Sequence, residues 1–101
     1  MTTLRHGRRA RTALLRVTVL DNDREHNRYG FAVSRRVGGA VVRNRTKRQL
    51  REIVRQVQTT PGHDVLVTAD PSSAHASFRE LRRDFERAIH KLSIASAGGG
   101  R

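Results

Sequence analysis

"GGAVVRNRTKRQLREIVRQV", residues 38–57, decides how this chain folds, because apolar residues recur through it at helical spacing. On a helical wheel of about 100° per residue, three apolar side chains fall within roughly 60° of Leu50. These are Ile53, Val54 and Val57. A stripe of this width is typical of a helix that buries one side against a core. The segment therefore predicts a helix from about residue 43 or 44 to residue 58.

The same helix carries six basic residues against one acid, Glu52, between positions 43 and 55. Its polar side chains cluster between about 60° and 160° from Leu50. This basic row consists of Asn44, Lys47, Arg48, Arg51 and Arg55. It spans about 16 Å at 1.5 Å per residue, which is long enough to meet several phosphates. A charge run is most often a solvated face, but six like charges on one helix repel each other, which favours a polyanionic partner.

The residue types in this helix suit a nucleic acid. A guanidinium group is a planar fork that holds a phosphate through two hydrogen bonds, whereas lysine acts as a point charge. Asn44 lies near the expected helix start, where it is suited to cap the helix or to reach a base edge or sugar hydroxyl. The free backbone N–H groups of a helix N-terminus would add a further anion site. We therefore interpret the helix as a nucleic-acid-binding element.

The rest of the chain predicts a small sheet and a second helix. Alternating apolar residues indicate two strands that we expect to pair as an antiparallel hairpin. A later strand is apolar on both faces at its centre, as a strand covered on both sides would be. Ser77 and Glu80 form a capping box that starts the last helix. In chain order the segments are a basic loop at 5–12, a strand at 13–20, a loop at 21–27, a strand at 28–34, a turn with room for a short strand at 35–42, a strand at 63–69 and a loop at 70–77.

These elements give an α+β fold, a small mixed or antiparallel sheet with helices packed on it. At 101 residues the chain has room for one core. We expect a single RNA-binding domain at 1–94 that begins with a basic segment at 1–12, and a flexible Gly-rich tail at 95–101. The apolar stripe of the last helix consists of Phe78, Leu81, Phe85, Ala88, Ile89 and Leu92.

Composition bounds the partners and the compartment. The net charge is +12 and the sequence pI is about 11.9, which attracts polyanions without specifying which one. The chain has no cysteine, which excludes disulfides and thiolate zinc sites and is compatible with a reducing cytoplasm. No apolar run approaches the roughly 20 residues that span a bilayer. We expect a cytoplasmic protein with no membrane partner and no obligatory protein partner.

The residues show no catalytic or metal site. The five histidines lack ligand spacing, and the acids are too sparse to hold two metal ions about 4 Å apart. Tyr29 and Phe31 are suited either to stack on bases of a single strand, worth about 1–3 kcal/mol each, or to fill the core. The alternation of apolar residues along this strand does not decide between these two roles. A DNA-binding helix-turn-helix would need a helix before the glycine pair Gly38 and Gly39, but the pattern there predicts a strand, so this class is disfavoured.

The segment at 30–55, "GFAVSRRVGGAVVRNRTKRQLREIVR", closely resembles the protein component of bacterial ribonuclease P. That family carries a Gly-apolar-x-Val-Ser-basic-basic segment, here at 30–36, and a Gly-x-Ala-Val turn, here at 39–42. An Arg-Asn-Arg-x-Lys-Arg-x-apolar-Arg helix follows, here at 43–51. The likeness extends more loosely to about residue 92. A small ribosomal or RNA-chaperone protein without an enzymatic role is the alternative that composition fits equally well, and the ordered motif favours the ribonuclease.

The resemblance implies an endoribonuclease that removes the 5′ leader of precursor tRNA, with hydrolysis performed by an RNA subunit that uses Mg2+. It implies a fold like the second domain of ribosomal protein S5, with a left-handed βαβ crossover. Carried over by position, the contacts to the RNA subunit are Arg43, Asn44, Arg45 and Arg48. Lys47 and Arg51 would face the leader or the catalytic core, and the basic pair Arg35 and Arg36 would extend this surface.

The resemblance also implies that the leader lies in a cleft across the sheet. Candidate leader-binding residues are Arg16, Thr18, Tyr29, Phe31, Lys47 and Arg51. Thr18 stands where some family members have an outward aromatic residue. Family members usually have a further helix before the segment that matches His6 and Gly7, and it forms one wall of the cleft. About five residues precede that point here, which indicates either a start codon placed too late or a shortened version of the protein. Loss of that helix should leave part of the sheet uncovered.

Overall fold

The computed structural model describes residues 7–96, which form a four-stranded sheet and two α-helices. The elements are β1 (Arg8–Arg11), β2 (Leu15–Asp21), β3 (Arg28–Ala32), α1 (Ala40–Gln56), β4 (His63–Ala69), a short 3-10 helix (Pro71–His75) and α2 (Phe78–Lys91). The sheet order is β1-β2-β4-β3. The two pairs β1–β2 and β2–β4 are antiparallel, and β3 is parallel to β4. The α+β class with a mixed sheet is confirmed.

Both helices pack on one face of the sheet and bury a lean aliphatic core. The predicted inward face of β2, residues Leu15, Val17 and Val19, is fully buried. Leu50 and Ile53 of α1 and Phe85 of α2 are also completely buried. α2 lies over β1 and β2, whereas α1 lies beside it and contacts β3. The apolar stripe of α1 is therefore the surface that anchors the basic helix, as its periodicity predicted.

The predicted hairpin of the first two strands is wrong. β2 and β3 are not neighbours, because β4 lies between them and pairs with both. The loop at 22–27 therefore carries the chain across β4, and α1 connects β3 to its parallel neighbour in a βαβ unit. Alternation shows which side of a strand is buried but not which strand lies next to it. The hand of this crossover stays an expectation of the resemblance.

The basic segment predicted as a loop contains the edge strand β1. The segment has one apolar residue that reaches the core, Ala10, which is 6% exposed. The strand is held by its pairing with β2 and by the end of α2, where Arg8 Nη1 donates to the carbonyl oxygen of Leu92 at 2.7 Å. A cation at the carbonyl end of a helix is stabilising. These are long-range contacts, so local pattern did not reveal the strand.

α1 begins at Ala40, three or four residues before the predicted start, and ends at Gln56. The segment at 35–37 is a turn, and no short strand forms between it and the helix. Gly38 is required there because a Cβ at this position would lie 2.9 Å from Cβ and Cγ1 of Val42. Gly39 is the N-cap residue, so Asn44 lies in the second turn and does not cap the helix.

β4 is covered on one face rather than on both. Val65, Val67 and Ala69 are buried beneath the helices, but Leu66 on the opposite face is 44% exposed. Within residues 7–96 no helix covers that face, which we call the open face. The turn before β4 contains Gly62 with φ of +97°, a conformation that favours glycine.

α2 starts with the predicted capping box. Ser77 Oγ accepts from the Glu80 amide at 3.1 Å, and Glu80 Oε1 accepts from the Ser77 amide at 2.8 Å. The segment predicted as the loop at 70–77 contains the 3-10 helix, which Asp70 caps. Ala95, the first residue of the predicted flexible tail, forms an isolated bridge with Thr59. The Ser96 amide donates to Gln58 at 3.2 Å, and residues 97–101 lie outside the described part of the chain.

Candidate nucleic-acid interface

Contacts with the 3-10 helix and with α2 fix which way the basic helix faces. Arg45 Nη2 donates to the carbonyl oxygen of Ala74 at 3.2 Å, and Gln56 Oε1 accepts from Arg82 Nη1 at 2.9 Å. These two α1 residues lie on the same side of the helical wheel. The opposite flank, which carries Asn44, Lys47 and Arg51, therefore points away from α2. Since α1 lies on the β3 side of the sheet, this flank lies at the β3 edge.

The basic row is accessible. Asn44, Arg48, Arg51 and Arg55 are exposed, and Lys47 is half-buried. Arg55 Nη1 lies 3.4 Å from Glu52 Oε1, and both side chains are well exposed, so this pair is weak. No other member of the row has a carboxylate partner within residues 7–96. The row therefore presents nearly its whole charge to solvent or to a partner.

Arg43 and Arg45, equivalent in the motif, differ in the structure. Arg45 is exposed beside the 3-10 helix, on the outer side of α1. Arg43 is half-buried, and its Nε is buried without a hydrogen-bond partner in the described residues. Arg43 lies about 20° from Leu50 on the wheel, next to the apolar stripe. Its stem therefore packs with the core side of the helix, whereas the Arg45 side chain is exposed and makes one hydrogen bond, to the Ala74 carbonyl oxygen.

The N-terminus of α1 is an open end with positive charge around it. Gly39 provides no side-chain cap, and the first turn contains no acidic residue. The first amides of a helix have no partner within it and attract anions. Arg35 and Arg36 are exposed in the turn that precedes this end. The first-turn amides, for which the sequence predicts an anion site, are thus left without a side-chain cap.

The open face of the sheet carries a second set of cations. Arg16 pairs with Arg11 and with Thr68, and Thr18 pairs with Arg9 and with Leu66. Residues that pair directly across strands point to the same side of a sheet. The predicted leader-binding residues Arg16 and Thr18 therefore lie on the open face. Sequence reasoning missed Arg9 and Arg11, because the single apolar residue between them, Ala10, is too short a pattern to reveal a strand.

At one end of the open face, three arginines from distant parts of the chain line a cavity of about 300 Å3. They are Arg11 of β1, Arg16 of β2 and Arg36 of the turn after β3. Ser34, Thr68 and one acid, Asp70, also line it. This end of the open face connects the sheet to the turn that leads into α1.

At the other end, Arg28 and Asp64 neutralise each other. Arg28 Nη2 lies 2.7 Å from Asp64 Oδ2, and its Nε donates to Oδ1 at 2.9 Å. Hydrogen bonds from Arg28 and Asn22 hold the pKa of the Asp64 carboxyl well below its ordinary range. The positive charge of the open face is therefore concentrated at the Arg11 end.

Tyr29 and Phe31 do not lie on the open face. Tyr29 pairs with Val65 and Phe31 with Val67, both of which are buried under the helices. The Tyr29 hydroxyl lies 2.7 Å from Thr59 Oγ1, and both rings pack against the core. Their strand turns both rings to the helix side, which favours the core alternative over stacking on bases at the open face. Phe78 is only partly buried, at the edge of the core.

The described residues contain no evident catalytic centre. Within residues 7–96, no group of three or more histidine, aspartate or glutamate side chains could hold a metal ion. The buried carboxylate of Asp84 has a structural partner, since its Oδ2 accepts from the Leu14 amide at 2.8 Å. The chemistry this surface offers is the binding of polyanions.

None of the helices in the described part of the chain is long and apolar enough to cross a membrane.

Comparison with known proteins gives one family. The ribonuclease P family model matches residues 1–93. The ribonuclease P protein component of a Nocardioides species is 43% identical over 100 residues, covering 94% of this chain and 86% of the relative. The ribonuclease P protein component of Acidothermus cellulolyticus is 43% identical over 94 residues, covering 89% of this chain and 78% of the relative. The 2.0 Å structure of the Staphylococcus aureus RNase P protein superposes with a TM-score of 0.79 at 21% identity, covering 93% of this chain and 88% of that one.

The family match spans nearly the whole chain, and the fold and the ordered motif at 30–55 agree with it. The chain therefore belongs to the ribonuclease P protein family, whose members are the protein components of an endoribonuclease complex with an RNA partner.

Proposed function

We propose that the chain binds the RNA subunit of ribonuclease P through α1 and holds the 5′ leader of precursor tRNA on the open face. The RNA subunit performs the hydrolysis with Mg2+, and the protein provides no ligand to that ion. The complex works in the cytoplasm. The observation that carries the proposal is the basic row, rigidly anchored by Leu50 and Ile53 and nearly free of carboxylate partners.

Two separate surfaces support two separate roles. Arg45 and Arg48 lie on the outer side of α1, where a folded RNA can approach without meeting the sheet. Arg11, Arg16 and Arg36 converge at one end of the open face, where a single strand can lie across the sheet. Lys47 and Arg51 lie on the flank of α1 at the β3 edge. They are placed between the two surfaces, which fits contact with the leader or with the RNA near the cleavage site.

The test is cleavage of 5′-labelled precursor tRNA by a bacterial ribonuclease P RNA at low Mg2+, with and without the chain. We expect leader release to depend on the chain. RNA binding without help to cleavage would refute leader handling, and absence of RNA binding would favour the ribosomal or chaperone role.

Matched variants separate the two surfaces. Arg48→Gln removes one charge from the outer side of α1, and Arg24→Gln removes one charge from the exposed loop between β2 and β3. We expect Arg48→Gln to weaken RNA-subunit binding, and Arg24→Gln to leave it unchanged. Arg16→Gln should weaken binding of precursor tRNA relative to mature tRNA by the complex while RNA-subunit affinity is kept. Equal loss for both tRNAs would refute the assignment of the leader to the open face.

A further inference from the structure

α2 displays a second row of arginines that the motif at 30–55 does not include. Arg79, Arg83 and Arg87 recur every four residues and are exposed on the side of the helix opposite its buried stripe. At 1.5 Å per residue the row spans about 12 Å. His90 is exposed on the same face, one turn after Arg87. We call these three arginines the α2 row.

The acids of α2 do not neutralise this row, because each has another partner. Glu80 is used in the capping box, and Asp84 accepts from the Leu14 amide. Glu86 Oε2 lies 3.4 Å from Arg82 Nε, one helical turn away. Within residues 7–96, no carboxylate lies within salt-bridge distance of any arginine in the α2 row. Three like charges therefore repel along one exposed helix face, which an anionic partner would relieve.

The α2 row is continuous with the outer side of α1. The two helices lie side by side on the same face of the sheet, joined by the hydrogen bond between Arg82 and Gln56. Arg45 and Arg48 border a shallow hollow on α1 that Phe78 of α2 closes. The outer surface of the helix layer thus runs from Arg45 and Arg48 to the α2 row without an intervening element.

The α2 row lies far from the surface proposed for the leader. The open face is on the other side of the sheet from both helices, so a strand that crosses it does not reach Arg83 or Arg87. A folded RNA that approaches α1 from outside meets both helices.

Taken together, these observations lead us to infer that the α2 row binds backbone phosphates of the RNA subunit, so that the RNA interface spans both helices rather than α1 alone. The contact we infer is to phosphates, because a row of exposed arginines at four-residue spacing offers charge and hydrogen-bond donors along a line, as a nucleic-acid backbone requires. This inference rests on the proposed function and extends its RNA-binding surface.

The first test is the salt dependence of binding between the full chain and a bacterial ribonuclease P RNA. Each phosphate contact contributes about one unit of slope when log K is plotted against log salt concentration. We expect Arg83→Gln and Arg87→Gln each to flatten the slope by about one unit, and Arg83→Lys to retain it. Arg24→Gln is the control that removes one exposed charge elsewhere. All these side chains are exposed, so urea unfolding midpoints should stay unchanged.

The second test uses the absence of natural cysteine from the chain. His90→Cys and Arg24→Cys each provide one thiol for an iron–EDTA group, which cleaves nearby RNA without removing any arginine of the α2 row. We expect localised cleavage of the RNA subunit from position 90 and not from position 24.

The outcomes separate this inference from the proposed function. If the unmodified chain does not bind the RNA, both are overturned. The α2 inference is overturned, and the function of α1 stands, if the chain binds the RNA and Arg48→Gln weakens that binding while the α2 variants behave like Arg24→Gln and position 90 gives no localised cleavage.

Discussion

The two helices pack side by side on the same sheet, yet they are built in opposite ways. α2 begins with a capping box, has an acid in its first turn and ends with His90 and Lys91 in its last turn. Each of these features stabilises a helix locally, because it satisfies free amides or complements the helix dipole. α1 begins at an uncapped glycine, has no acid in its first turn and carries six basic residues against one acid.

This difference indicates where the stability of each helix originates. Local interactions favour α2, whereas like-charge repulsion opposes α1 and packing must hold it in place. In α1 the buried residues Thr46, Leu50 and Ile53 provide that packing. The features that would stabilise α1 locally, a capping carboxylate and acidic partners for its arginines, would also repel or compete with phosphates. A helix that binds a polyanion thus gives up local stabilisation at the surface that does the binding.

The largest effect should come from removing the packing of α1. Leu50→Ala deletes a fully buried side chain, so we expect it to lower the free energy of unfolding by about 2–5 kcal/mol, measured by urea denaturation. The control is Val41→Ala on the same helix, where the side chain is 80% exposed and the change should stay within about 0.5 kcal/mol. A small loss at Leu50 would show that α1 does not depend on this packing.

Local sequence patterns were sufficient to predict three features of the fold. The burial of β2, the stripe of α1 and the start of α2 follow from residues close in sequence, and each was predicted correctly. The pairing of strands was not, because the insertion of β4 between β2 and β3 depends on contacts more than 30 residues apart. β1 was missed for the same reason, since Ala10 is the single residue of that strand that reaches the core.

The candidate site likewise has a part that the sequence predicted and a part that only the structure revealed. The charge and the helical phase of α1 placed Asn44, Lys47 and Arg51 on one flank. The difference between Arg43 and Arg45, and the meeting of Arg11, Arg16 and Arg36, required the structure. Tyr29 and Phe31 show the limit of alternation, which identifies two sides of a strand without showing which side the helices cover.

The next effect separates the two arginines of the Arg-Asn-Arg segment, Arg43 and Arg45. Arg45→Ala should flatten the salt dependence of RNA-subunit binding by about one unit and leave urea unfolding unchanged, since the side chain is exposed. Arg43→Ala should also flatten the slope by about one unit, and in addition lower stability by about 1 kcal/mol, because its half-buried stem packs beside the stripe. Unchanged slopes would show that neither side chain lies at a phosphate.

A smaller effect tests the local stability of α2. Ser77→Ala removes the side chain that accepts from the Glu80 amide, so we expect a loss of about 1 kcal/mol in urea unfolding. RNA-subunit affinity, measured under conditions where both proteins are folded, should not change. Ser77→Thr is the control, since its hydroxyl can make the same bond. A loss as large as that of Leu50→Ala would contradict the view that packing matters more for α1 than capping does for α2.

The smallest effect gives α1 the cap that it lacks. Gly39 has φ of −73°, and a Cβ there would meet no atom within 4 Å, so other residues fit without strain. Gly39→Ser and Gly39→Asp should each stabilise the fold by about 0.5 kcal/mol in urea unfolding, because the side chain can accept from a first-turn amide. Their effects on RNA should differ. Aspartate places a negative charge where the helix end, Arg35 and Arg36 attract phosphate, so Gly39→Asp should weaken RNA-subunit binding while Gly39→Ser should not. Equal affinities for the two variants would show that this end of α1 lies outside the RNA interface, and that its missing cap has another cause.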